Sequence, residues 1–144
     1  MGAELELNTQ FKYQNAIDPA AIFAGNTTKT GNTIDRQGFK ALEFVIISGV
    51  LTDAVYTTTL EEGDQANMSD AATVADKDMI PNVGGTTQAS FALTDDSVCK
   101  KVGYKGNKRY VRVKVVQSGA TTGGYLCAIA VQGEPDYVPA TGIP

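Results

Sequence analysis

Seven basic residues crowd one short stretch. Lys100, Lys101, Lys105, Lys108, Arg109, Arg112 and Lys114 lie between Ser97 and Lys114 with no acidic residue among them. Tyr104 and Tyr110 are interleaved with them. Cations beside aromatic rings suit a single-stranded nucleic acid, because the cations hold phosphates while the rings stack on bases. The stretch before it is the opposite: Asp53 to Asp96 carries nine acidic residues and one basic, Lys77. The whole chain has a net charge of -4 and a pI of about 4.7. An acidic chain repels a phosphate backbone, so no nucleic-acid partner is expected. Two readings of the charge split remain. In one, strands of opposite sign face each other across a sheet of the same molecule. In the other, a basic face meets copies of the chain or a charged scaffold. The second reading makes Lys100, Lys101, Lys105, Lys108, Arg109 and Arg112 the expected partner-binding residues.

Other chemistry finds little support. The chain has no histidine and no tryptophan. That excludes a Ser-His-Asp triad, a Cys-His pair and a His-liganded zinc within it. Asp64, Asp70, Asp76 and Asp78 do not follow the EF-hand spacing, since the glycine and the closing glutamate are misplaced. They read as a solvated acidic loop. Glu61-Glu62 with Glu43 or Asp53 would supply the two carboxylates of a glycosidase, but such pairs occur in any acidic β protein. The tryptophan that commonly grips a sugar ring is missing, which weighs against sugar chemistry, and a carbohydrate-binding β-sandwich module stays as an alternative function. The glycine-containing stretches 83–87 and 118–124 lack the Gly-Lys-Ser/Thr ending of a phosphate loop and read as turns. Cys99 and Cys127 match no metal motif and are expected as free, buried thiols. No catalytic residue, metal ligand or cofactor is expected.

These residues sit on a framework of strands. At 144 residues the chain has the size of one domain. Its residues are 42% hydrophobic and 19% charged, and mean hydropathy is -0.13, a globular balance. Residues 41–49 form a run rich in apolar, β-branched and aromatic side chains. They predict a central strand covered on both faces. Residues 54–62, with three successive threonines, predict the next strand. Residues 65–83 read as a long connection, with Ser69 able to cap one helical turn. Strands follow at 89–93, 97–104, 109–116 and 125–131. In 109–116, Val111, Val113 and Val115 share one face while Arg112 and Lys114 share the other. Turn signals recur about every ten residues, as in a sandwich. The expectation is an all-β, antiparallel β-sandwich of jelly-roll type. Residues 1–30 are expected as an extended N-terminal arm with at most a short strand near 20–24, residues 31–133 as the sandwich, and residues 134–144 as an extended tail. The N-terminus shows neither a signal-peptide pattern nor a myristoylation pattern, and the longest apolar run, 44–47, is too short to span a bilayer. No membrane partner is expected.

Four segments carry a family resemblance: Thr33 to Phe44, Leu60 to Asp64, Lys101 to Val113, and Ser118 to Gly124. Together they resemble small structural proteins of tailed bacteriophages and prophages, and more narrowly capsid cement (decoration) proteins with a jelly-roll fold. The resemblance runs from about residue 30 to residue 133. It implies a non-enzymatic virion protein, made in the bacterial host cytoplasm, that binds the outer capsid surface and bridges copies of the major capsid protein. It implies self-association as a homodimer or homotrimer. A neck or tail component is the alternative within the same class. No family site maps onto single residues of this chain.

Overall fold

The strands form where side chains alternate between an inner and an outer face. In the computed structural model, residues 7–19, 22–23, 25–80 and 89–137 are described. Eleven strands follow in order: β1 (Lys12–Ile17), β2 (Ile22–Phe23), β3 (Thr28–Thr30), β4 (Ile34–Asp35), β5 (Phe39–Leu51), β6 (Val55–Gly63), β7 (Ala72–Thr73), β8 (Met79–Ile80), β9 (Cys99–Tyr104), β10 (Tyr110–Ser118) and β11 (Gly124–Pro135). One sheet, A, has the order β1-β11-β5-β9-β8, with β2 also on β11. The other, B, has the order β3-β10-β6-β7, with β4 also on β10. Every pairing is antiparallel.

This order is that of a jelly roll. The pairs β1:β11, β3 and β4:β10, β5:β9 and β6:β7 are the successive rungs of one long hairpin. Rolling that hairpin brings β11 onto β5 and β10 onto β6, which completes two facing sheets. The expected all-β sandwich and its topology both hold.

The core lies between the sheets. Leu42, Phe44 and Ile46 of β5 and Leu126, Ala128 and Ala130 of β11 face Tyr56 and Leu60 of β6 and Val111, Val113 and Val115 of β10. Tyr104 ties the sheets at one end. Its hydroxyl donates to Glu62 on the opposite sheet and accepts the Lys108 amide. Burial, and next the Glu62 carboxylate, push that hydroxyl's pKa far above its ordinary value. Arg36 lies over the Tyr104 ring, 4.7 Å from its centroid, and donates to the carbonyls of Lys40, Gly106 and Lys108. The turns on both sides of the sandwich are thereby held together.

Several local expectations are corrected. Residues 12–30 are not an arm beside the sandwich. They supply β1, β3 and β2, the short strand expected near 20–24, with Ala16 and Ile17 buried in the core. β1 and β3 take the sheet edges, and their half-exposed faces leave a weak hydrophobic period. At the other end, Glu134 and Pro135 belong to β11. Residues 1–6 and 138–144, called arm and tail, lie outside the described residues, as do Ala20, Ala21, Ala24 and the end of the 65–83 connection. Within that connection only β7, β8 and one 3-10 turn at Asp76–Asp78 form. Ser69 caps no helix; instead the Asp70 carboxylate accepts the amides of Asp64 and Gln65. The strand expected at 89–93 shrinks to one bridge, Phe91 to Tyr56.

The β10–β11 connection shows how tightly one backbone position is constrained. The Asp53 carboxylate accepts the amides of Thr121, Thr122 and Gly123 at 2.8–2.9 Å. Those bonds, Thr122 foremost, hold its pKa below the usual carboxylate value. Gly123 has φ +87°, and a Cβ there would sit 1.4 Å from the Phe23 carbonyl oxygen. Gly119 has φ +78° but nothing within 4 Å. Gly123→Ala is expected to lose about 3 kcal/mol or more in urea unfolding, and Gly119→Ala only about 1 kcal/mol.

Candidate interaction surface

Six of the seven cations of the basic run pair with carboxylates of the same molecule. Arg112 stands directly opposite Glu61 in the β10:β6 register, and Lys114 is its diagonal neighbour. Glu61 accepts from Arg112 at 2.7 Å and from Lys114 at 3.0 Å. Lys108 pairs with Asp64 at 2.5 Å. Arg109 grips Asp35 through two nitrogens at 2.8 and 2.9 Å. Lys100 pairs with Asp95 at 2.9 Å, donates to the Ser90 carbonyl and lies over Phe91. Lys101 reaches Glu43 at 3.7 Å. Of the six residues expected to bind a partner, Lys105 alone forms no ion pair with a described residue. The six are also split between both sheets and the turn joining them, so they do not make one face. The intramolecular reading of the charge split is the one the structure supports.

This pairing sets the acid response. Burial raises the Glu61 carboxyl, but the hydrogen bonds and charges of Lys114 and Arg112 together outweigh it, and the net shift is downward. At Asp35 the Arg109 hydrogen bond is the largest influence and also lowers the pKa. At Asp95 the Ala92 amide leads and Lys100 follows, again downward. These folded-state pKa values lie below the unfolded ones. Their stabilisation is therefore present above the unfolded values and lost as pH falls through the folded ones.

The outer faces of the two sheets differ in kind. That of sheet B is mostly polar, with Thr57, Thr59 and Glu61 of β6 beside Arg112 and Lys114 of β10. That of sheet A is mostly apolar. Its rows follow from the registers. Tyr13, Val131, Glu43, Gly103 and Ile80 form one row across five strands. Asn15, Ile129, Val45 and Lys101 form the next, then Cys127, Ile47 and Cys99. Tyr13, Ile47, Ile80, Tyr125 and Ile129 keep 37–52% of their surface open. The only charges in these rows are Glu43 and Lys101, which pair with each other. The expectation that β5 is covered on both faces is corrected: Ile47 keeps 43% of its surface open.

The two cysteines share that face. Cys99 is exposed and Cys127 partly so, rather than buried as expected. Both are free, and both register with Ile47, one on each side. They are two strand spacings apart, about 10 Å, too far for a disulfide within one chain.

At one end the face deepens into a cleft of about 430 Å³. Gly103, Gly133, Phe11 and Ile80 line it, together with the cations Arg36, Lys40 and Lys105 and one carboxylate, Glu43. Like Lys105, Lys40 makes no ion pair with a described residue. Sequence reasoning overlooked Lys40, which stands alone outside the basic run. Among the described residues no three His, Cys, Asp or Glu side chains gather as metal ligands. No helix among them is long and apolar enough to cross a membrane.

No family model matches the chain. No curated protein matches it either. Among solved structures the chain is similar to the SPBc2 prophage-derived protein YomS, with a TM-score of 0.49 and 11% identity over 86% of this chain and 93% of that one. It is also similar to a chain in the structure of infectious bursal disease virus, Gx strain. There the TM-score is 0.43 and the identity 15%, over 96% of this chain and 38% of that one.

Glu61→Gln tests the central ion pair. It is expected to cost about 1–3 kcal/mol at pH 7, because two cations lose their carboxylate in a site where that side chain is 13% exposed. The melting temperature of the native chain should fall as pH drops from 5 to 3. The variant should fall less, since one of the depressed carboxylates is gone. Calorimetry across that range checks both.

Proposed function

We propose that this protein is a non-enzymatic structural component of a bacteriophage head, a cement protein that attaches to the outer shell and bridges its subunits. The single observation that supports this best is a division of surfaces. The side chains able to do acid, base or ionic chemistry largely satisfy one another, while what stays open is an apolar sheet face and a cationic rim. Such a molecule is suited to adhesion, since extended apolar patches mark contact surfaces. The resemblance of four segments to phage structural proteins gives the class, and the jelly-roll order is compatible with it.

On this reading the shell contact uses Lys40 and Lys105. They are charged, they flank one cleft, and neither forms an ion pair with a described residue; Glu43, which lines the same cleft, pairs with Lys101. The other cations of the basic run would have to abandon internal partners to reach a shell. Weak contacts repeated over several shell subunits add up through avidity.

Quantitative mass spectrometry of purified phage heads tests the reading. A copy number equal to that of the major capsid protein, or a simple fraction of it, is the expected result. A few per cent would move the protein to the neck or tail, and absence from the particle would end the proposal. Reversing Lys40 and Lys105 together to Glu is expected to weaken attachment about tenfold or more with the melting temperature unchanged. Reversing Lys108, Arg109 and Arg112 should instead lower the melting temperature, because those three hold internal carboxylates.

A further inference from the structure

The two middle strands of sheet A are written as if both their faces were buried. Residues 44–47 of β5 and 125–131 of β11 are continuously apolar, the pattern of strands covered on each side. One side meets the core. The other carries Val45, Ile47, Cys127, Ile129 and Tyr125 into solvent. An antiparallel sheet with one wet face normally alternates apolar with polar, as β10 does in this same molecule. The apolar outer face of sheet A therefore needs a cover.

We infer that the cover is a second copy of this chain, packed sheet against sheet about a two-fold axis. This rests on the adhesive reading of the face given above and names its occupant. Charge favours a copy. The chain carries -4 overall and would repel itself through most surfaces, but this face carries one self-neutralising pair, Glu43–Lys101. A two-fold contact brings the same patch together twice, so a patch without net charge is a requirement rather than a convenience. Size agrees as well. Four strands at about 4.8 Å and seven residues at about 3.4 Å give a footprint of about 19 by 24 Å. That projects to about 460 Å² on each partner, and the corrugation of the sheet raises the buried area above it, to about the 500 Å² per partner at which stable interfaces begin. Facing sheets pack about 10 Å apart, close enough for Ile47 and Ile129 to interdigitate with their counterparts.

The cysteines make the geometry testable. They flank Ile47 at equal distance in one row. A two-fold axis through Ile47, whether along the strands or across them, sets each thiol opposite a thiol of the other copy.

Sedimentation velocity of the full chain under reducing conditions is the experiment, with Ile47→Lys, Ile129→Lys and, on the opposite sheet, Thr57→Lys. The expected result is a native dimer, a dimer for Thr57→Lys, and a dissociation constant raised at least about 100-fold for each sheet A variant, because symmetry buries two unpaired ammonium groups. A native monomer, a trimer, or dimers unaffected by both sheet A changes would overturn the proposal. Should the lysine variants fail to fold, a short bismaleimide decides on chains with one cysteine each, Cys99→Ala and Cys127→Ala, alone and mixed, so that no link can form within one chain: a covalent dimer in any of the three samples supports the face-to-face pair, and its absence from all three overturns it. The two proposals fail separately. A dimer that does not attach to phage shells would remove the cement reading alone. A native monomer that attaches, and loses attachment on Ile47→Lys, would give the face to the shell and remove the dimer alone.

Discussion

The register between β6 and β10 is the constraint on which the rest of the structure depends. Side chains in a strand alternate faces, so a slip of one residue would exchange every inward and outward group. In the observed register Leu60 and Thr58 face inward beside Val113 and Val115, and Glu61 faces outward beside Arg112. The apolar pattern and the ion pair select the same alignment. Neither requirement could be met in a slipped register without placing Glu61 and Arg112 in the core. The rolled topology follows, because β10 continues into β11 and β6 is preceded by β5, and those two strands then meet in the opposite sheet.

The same register governs the electrostatics. A stretch of seven cations looks like a binding face when read along the chain. In space it is spread over β9, β10 and the turn between them, and carboxylates from β4, β5, β6 and the loops come to meet it. Exposed pairs of this kind add little stability individually. Their larger effect is to remove charge that would otherwise be available to a partner. What stays open by default is the outer face of sheet A and the small cationic rim at its end.

Several features were legible in the residues themselves. The absence of histidine limited the chemistry before any fold was known. The alternation of Val111, Val113 and Val115 with Arg112 and Lys114 placed one strand correctly, inner face and outer face alike. The length, turn spacing and β-branched runs pointed to a jelly-roll sandwich, and the strand order bears that out. Edge strands were harder to read. β1 and β3 are polar on the outside and short, so their hydrophobic period is faint, and their hydrogen-bond partners lie about a hundred residues away in β10 and β11. Lys40 was invisible for a related reason, since it joins Lys105 only through the pairing of β5 with β9.

The sequence by itself determined the class of fold, the burial of alternate valines and the absence of histidine-based chemistry, because these depend on residue type and on periods of two along one strand. Only the tertiary structure decided which charges are free, where the cysteines lie and which apolar run is left open. Those properties depend on what stands across from a residue on another strand, and cross-strand neighbours are set by the rolled pairing of distant segments rather than by local order. The run at 44–47 illustrates the division. Its composition asked for cover on both faces; the fold supplies one and leaves the other partly open, with Ile47 exposed.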